Sequence, residues 1–93
     1  MDTITKEKKD SKLKSITEQP KKLVLHNDRY NTFDHVITSL VTICGHEPEQ
    51  ATQCAYIVHY KSQCDVKLGD ESTLSKMKDK LTFRGLLATL EDN

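Results

Sequence analysis

The sequence has no tryptophan, only three glycines and two prolines, and no net formal charge over its 93 residues. A chain without net charge creates no strong overall field, which argues against nucleic acids and membrane surfaces as partners. No apolar run approaches the roughly 18 residues of a membrane-spanning helix, and the first ten residues lack the apolar segment of a secretion signal. We therefore expect a cytoplasmic protein that binds neither nucleic acid nor membrane.

Patterns typical of metal binding and catalysis are also missing. The three cysteines, Cys44, Cys54 and Cys64, form no C-x-x-C pair, and buried reduced thiols are the simplest interpretation. Cys44 and His46 form the only tight Cys/His cluster, and two ligands do not make a zinc site. No spacing of a nucleophile and its base is recognisable. A metalloprotein or Cys/His enzyme stays a minor alternative, and we expect no metal, no cofactor and no enzymatic activity.

Charge and apolar content divide the chain near Pro20. Residues 1–22 carry seven lysines against four acidic residues, whereas the remainder carries seven basic against ten acidic residues. Residues 1–20 contain almost no large apolar side chains, so they cannot bury enough surface to offset the entropy of ordering. We predict a disordered N-terminal arm over residues 1–20 and one folded core domain over residues 21–93.

The spacing of apolar residues in the second part predicts six elements. Apolar residues that recur at i, i+3, i+4 and i+7 indicate helices, and short β-prone or alternating segments indicate strands. The first three elements are a strand over 22–26, a helix with Asn31 as its N-cap, an apolar stripe from Phe33 to Cys44 and Gly45 at its end, and a helix that begins at Pro48. The last three are an alternating strand over 64–68 with one buried face, a helix capped by Asp70 with Leu74, Met77 and Leu81 inside, and a strand over 86–90. The order β-α-α-β-α-β predicts an α+β domain, with three helices packed on a three-stranded antiparallel sheet.

Three polar side chains stand at the ends of these elements. Asn27 and Asp28 directly follow the first strand, and His59 lies near the end of the second helix. By pattern alone they are ordinary, because Asn-Asp is common in turns and a histidine interacts favourably with the C-terminal end of a helix dipole.

Three blocks of sequence resemble a known family. Residues 25–33 (LHNDRYNTF), the segments ATQ at 51–53 and VHY at 58–60, and residues 86–91 (LLATLE) are similar, in order and spacing, to the signature of the ClpS adaptors. The similarity covers residues 22–91. It implies the small α/β fold that is also seen in the C-terminal domain of the ribosomal stalk protein, in agreement with the element order above.

The resemblance also implies a function and a site. ClpS proteins hold the free α-amine of a destabilising N-terminal residue and deliver the substrate to a Clp-type AAA+ unfoldase. By this resemblance we expect a monomeric adaptor that binds substrates beginning with Leu, Phe, Tyr or Trp. We expect it to deliver them to an unfoldase of ClpA or ClpC type. Asn27, Asp28 and His59 would hold the amine. The first side chain would enter an apolar pocket lined by Asn31, Phe33, Val36, Ala55, Val58 and Leu86.

The sequence departs from the family pattern at the pocket. Family members usually have methionine where Phe33 and Ala55 stand, which implies a reshaped pocket. A bulky Phe33 at the mouth would exclude β-branched first residues. The family often has a second acid where Arg29 stands, and we expect Arg29 to face solvent.

Contact with the unfoldase is less clearly marked. In the family the third helix docks on the unfoldase's N-terminal domain, and the candidates here are Glu71, Lys76 and Lys78, although a solvated helical face explains them equally well. The family counterpart of the arm is flexible and is engaged by the unfoldase; a nucleic-acid arm is the alternative for a basic tail. The alternative for the whole domain is a stalk-like or regulatory module that binds a partner protein without reading N-termini.

Overall fold

Six elements follow one another in the computed structural model, which describes residues 19–93. They are β1 (Lys21–His26), α1 (Phe33–Cys44), α2 (Pro48–Lys61), β2 (Gln63–Gly69), α3 (Glu71–Phe83) and β3 (Leu87–Asp92). The predicted α+β architecture is confirmed, with its β-α-α-β-α-β order and antiparallel three-stranded sheet. Apart from Gln19 and Pro20, the arm predicted for residues 1–20 lies outside the described residues.

The first strand is the centre of the sheet, whose order is β2-β1-β3. Leu23, Val24 and Leu25 are each at most 1% exposed, so the most apolar strand takes the position where neighbouring strands cover both of its edges. The core continues into the helices, where the largest fully buried side chains are Leu40, Leu74 and Leu81. Within residues 19–93, none of the helices combines the length and apolar character that crossing a bilayer requires.

The second strand differs from the prediction at Leu68. Its register against β1 shifts beside Leu23 and Val24, which leaves Val66 as an extra residue in β2. A bulge of this kind puts two residues opposite one and changes which face the following side chains occupy. Val66 is accordingly 5% exposed, whereas Leu68 is 57% exposed. Simple alternation over 64–68 therefore assigned Leu68 to the wrong face.

Two of the element boundaries that differ from the prediction bear on the site. The N-cap of α1 is Thr32 and not Asn31, because the Thr32 hydroxyl accepts a hydrogen bond from the His35 N–H at 3.1 Å. The third strand begins at Leu87, which leaves Leu86 in the preceding turn with its side chain 3% exposed. Both differences matter for the site described next, because the side chains of Asn31 and Leu86 line the same cavity.

Candidate functional site

A cavity of about 410 Å³ opens where the end of β1, the start of α1, the second half of α2 and the turn before β3 meet. Its lining brings together all nine residues that the family resemblance assigns to the amine site and the side-chain pocket, namely Asn27, Asp28, Asn31, Phe33, Val36, Ala55, Val58, His59 and Leu86. Leu25, His26 and Arg29 complete it. The volume is at the small end of the range, about 300–1,000 Å³, that is typical of small-ligand sites.

The loop between β1 and α1 is organised by the carboxylate of Asp28. Its Oδ1 accepts hydrogen bonds from the backbone N–H groups of Tyr30 and Asn31, both at 2.8 Å, and its Oδ2 accepts one from Asn31 Nδ2 at 2.7 Å. A carboxylate offers about four lone-pair positions, so these three bonds leave capacity for one further donor. Asp28 is thus held in place by its own turn while still able to accept a bond from a ligand.

The same contacts keep Asp28 ionised. Partial burial opposes the charged form, but hydrogen bonds from the Asn31 side chain and from the backbone of Asn31 and Tyr30 outweigh it, helped by the nearby His35. The pKa of Asp28 therefore lies below its ordinary value. Asp28 therefore contributes a negative charge to the cavity lining at neutral pH.

Asn31 joins the loop to the opposite wall of the cavity. Its Nδ2 donates both to Asp28 and, at 2.9 Å, to the carbonyl oxygen of Gly85. The ring Nε2 of His35 makes a second hydrogen bond of this kind, to the carbonyl oxygen of Arg84 at 2.8 Å. The turn that carries Leu86 is thereby fixed against the start of α1.

The floor of the cavity is apolar. Val36 of α1, Ala55 and Val58 of α2, and Leu86 are all buried, and each belongs to the main core cluster as well as to the cavity lining. The helical spacing of Val36, Ala55 and Val58 is therefore explained by the core, and the cavity lies where α1 and α2 bring these side chains together with Leu86. Phe33 is different, because it lies at the rim with 38% of its surface exposed.

The polar rim is formed by residues at the ends of β1 and α2, which a hydrogen bond between backbone groups joins. The N–H of Asn27 donates to the carbonyl oxygen of Ser62 at 2.8 Å, which joins the end of β1 to the end of α2. His59 is exposed, and its ring lies edge-on to that of Phe33 with the centroids 5.3 Å apart. Arg29 is exposed to solvent and also lies at this rim.

The docking candidates on α3 lie elsewhere on the molecule. Glu71 and Lys76 line an open cleft of about 990 Å³ together with residues 19–21 and the β2–α3 junction. Lys78 is absent from that lining, and its Nζ lies 3.9 Å from Oδ1 of Asp79.

The three cysteines lie away from the rim as free thiols. Cys44 and Cys54 are buried and Cys64 is partly exposed. Burial raises the pKa of the Cys44 thiol to about 11. In the described part of the chain, no group of three His, Cys, Asp or Glu side chains is arranged to hold a metal ion.

Comparison with known proteins identifies the family. A family model described as "ATP-dependent Clp protease adaptor protein ClpS" matches residues 17–89, which include every helix and most of the sheet. The chain belongs to the ClpS family. The family description names an adaptor of a protease and not a protease. The resemblance found in the sequence is thereby confirmed for ClpS.

The fold is shared with a solved ClpS structure. Agrobacterium tumefaciens ClpS2 bound to L-phenylalaninamide is similar with a TM-score of 0.71 at 17% sequence identity, over 81% of this chain and 98% of that one. The comparison with curated protein sequences finds no match.

Proposed function

We propose that this protein is an adaptor that binds the free N-terminal residue of substrate proteins in the 410 Å³ cavity and delivers those substrates to a Clp-type AAA+ unfoldase. The observation that carries the proposal is the composition of that one cavity, which has amine acceptors at its rim and apolar side chains at its floor. The relative ClpS2 is described with L-phenylalaninamide bound, and that compound combines a free α-amine with an apolar side chain. An adaptor role needs no catalytic group.

The rim has the chemistry required to hold an ammonium group. An ammonium carries one positive charge and three N–H donors. Asn27 offers an amide oxygen, Asp28 its remaining carboxylate position, and His59 an imidazole nitrogen. Hydrogen bonds to a charged partner are stronger than neutral ones, so the carboxylate makes the largest contribution.

The expected affinity is moderate. Three hydrogen bonds to the ammonium at about 1.5–3 kcal/mol each and a buried Leu or Phe side chain at about 1.5–3 kcal/mol sum to about 6–12 kcal/mol. Association itself costs about 4 kcal/mol or more, which leaves at most about −8 kcal/mol, or a Kd no tighter than order micromolar. Such an affinity suits an adaptor that must release its substrate.

The rim also limits which first residues enter. Phe33 lies at the mouth of the cavity, and its ring packs against that of Tyr56 with the centroids 5.0 Å apart. This contact helps to hold the Phe33 ring in place. A β-branched side chain is widest next to the backbone, at the level of this ring. We therefore infer that Leu, Phe, Tyr and Trp are accepted as first residues and that Ile and Val are excluded.

Delivery requires a second surface. We infer that α3, through Glu71, Lys76 and Lys78, contacts the N-terminal domain of the unfoldase, and that the segment before β1 is engaged by the unfoldase. Such a partner implies a cytoplasmic location. Charge reversal at these three positions should weaken unfoldase binding without changing peptide affinity.

Fluorescence anisotropy of labelled peptides tests the proposal. Peptides that begin with Leu, Phe, Tyr or Trp are compared with N-acetylated and Ile-first versions of the same sequence. Acetylation removes the charge of the amine and leaves the side chain unchanged. Binding of the free peptides alone supports the proposal. Equal binding of free and acetylated peptides, or no binding at all, refutes it and favours a partner-binding module that does not read N-termini.

A further inference from the structure

Four aromatic rings lie side by side at one edge of the cavity. The ring centroid of Phe33 is 5.0 Å from that of Tyr56 and 5.3 Å from that of His59. His59 is in turn 4.9 Å from Tyr60, and the rings of Tyr56 and Tyr60 stack 6.2 Å apart with their planes within 5°. We refer to these four residues as the aromatic shelf.

The aromatic shelf lies on the surface and does not contribute to the core. Tyr60 is 74% exposed and Tyr56 is 48% exposed. The buried stripe of α2 consists of other residues, Ala51, Cys54, Ala55 and Val58, so the tyrosines are not needed to attach this helix to the domain. Contiguous exposed aromatic surface is a common mark of an interaction site.

The aromatic shelf is continuous with the cavity. Phe33 and His59 belong both to the shelf and to the cavity lining, whereas Tyr56 and Tyr60 lie beyond them on the outer face of α2. For a substrate whose first side chain fills the cavity, with its amine beside His59, the shelf is a neighbouring surface for the residues that follow. An extended peptide advances about 3.3 Å per residue, so the rings of Tyr56 and Tyr60, whose centroids lie 5.0 Å from that of Phe33 and 4.9 Å from that of His59, are within reach of the second and third residues.

We propose that the aromatic shelf is a second subsite of the N-terminal residue site, which selects aromatic side chains at the second or third position of the substrate. The proposal rests on the proposed function, because it takes the direction of the substrate from the cavity. The exposed faces and edges of Tyr56 and Tyr60 offer the offset-stacked and edge-to-face packing that aromatic side chains prefer. Phe33, Tyr56 and Tyr60 present aromatic surface and no acidic or basic group of their own, so an uncharged planar side chain is the matching partner.

The experiment compares three peptides that share a free N-terminal leucine and a C-terminal dye, and that begin Leu-Ala-Ala, Leu-Phe-Ala and Leu-Ala-Phe. Because Arg29 lies at the same rim, charged residues are kept out of the first three positions. The full chain should bind at least one of the two Phe-containing peptides about 3- to 10-fold more tightly than Leu-Ala-Ala. The Tyr60→Ala and Tyr56→Ala variants should reduce this preference to less than 2-fold.

A matched control and a second readout make the result specific. Phe83 is 93% exposed on α3 and does not line the cavity, so Phe83→Ala should keep the full preference. Because the chain has no tryptophan, a Leu-Trp-Ala peptide reports its own environment, and its emission should shift to shorter wavelength on binding to the unmodified chain but much less with Tyr60→Ala.

Equal affinity for all three free peptides would overturn the second subsite while leaving the proposed function intact. A preference that survives Tyr56→Ala and Tyr60→Ala would also overturn it. Failure of every free peptide to bind more tightly than its acetylated form refutes the proposed function and the second subsite together, so the two failures are distinguishable.

Discussion

Replacing Asp28 with asparagine separates the structural role of this side chain, which holds the loop between β1 and α1, from its proposed role in binding the substrate amine. Asparagine has the same shape and keeps one oxygen, which can still accept from the N–H groups of Tyr30 and Asn31. Its NH₂ group, however, faces the Nδ2 donor of Asn31, so that bond is lost, and so is the negative charge. We expect the turn to persist, with a loss of about 1–2 kcal/mol of unfolding free energy.

The effect of Asp28→Asn on ligand binding should be larger. A charge-assisted hydrogen bond contributes about 1.5–3 kcal/mol, and partial exposure places Asp28 in the lower half of that range. We therefore expect affinity for a free Leu-first peptide to fall about 10- to 40-fold, with little change for the weakly bound acetylated peptide. Anisotropy titration measures the affinities, and urea denaturation measures stability.

Asp34→Asn is the matched control for this prediction. Asp34 lies in the first turn of α1, is exposed and does not line the cavity, so its replacement changes net charge equally. It should alter affinity by less than 2-fold. If Asp28→Asn behaved like this control while acetylation still abolished binding, the charge partner of the amine would not be Asp28, and the reasoning would be refuted.

Four further predictions concern first-residue selectivity, the pH dependence of affinity, the pH dependence of stability, and the contrast between buried Leu40 and exposed Leu68. Phe33→Ala should convert Ile-first and Val-first peptides from non-binders to measurable ligands in the anisotropy assay. If the variant still failed to bind these peptides, Phe33 would not be the residue that excludes β-branched side chains from the cavity. Affinity for free peptides should fall as pH rises past about 8, where an α-amine loses its proton, and an affinity unchanged up to pH 9.5 would contradict amine recognition. Because the pKa of Asp28 is lowered, its contribution to stability is present above about pH 4 and is lost only as pH falls through its folded value. In urea denaturation, Leu40→Ala should cost about 2–5 kcal/mol, whereas Leu68→Ala on the exposed side of the bulge should change stability by less than about 0.5 kcal/mol; similar costs would contradict the assigned faces.

The element order follows from the sequence because helical periodicity and strand-like segments are strong local signals. The first residues of the helices and the register of the strands follow less directly, because they depend on contacts between residues far apart in the chain. Asn31 and Thr32 are both good N-cap residues, and the choice between them depends on the contact of Asn31 with Gly85, far away in the chain. The bulge at Val66 depends on the register of β2 against β1, which alternation within one strand does not contain.

The site was less predictable than the fold. Asn27, Asp28 and His59 have the pattern of ordinary turn and helix-end residues, and only the resemblance to ClpS singled them out. The aromatic shelf was missed, although Tyr56 and Tyr60 stand four residues apart on α2, a spacing that places them on one face. The sequence does not show that Phe33 of another helix meets this face, because that contact arises from the packing of α1 on α2.

The central claim is that the free amine of a substrate's first residue binds at Asn27, Asp28 and His59. The most direct measurement is a chemical-shift titration of the ¹⁵N-labelled protein with a Leu-first peptide and with its acetylated form. We predict that the free peptide perturbs the amides of residues 27–31 and of His59 in a saturable manner, and that the acetylated peptide does not. Equal perturbation by both peptides, or perturbation confined to α3, would contradict the claim.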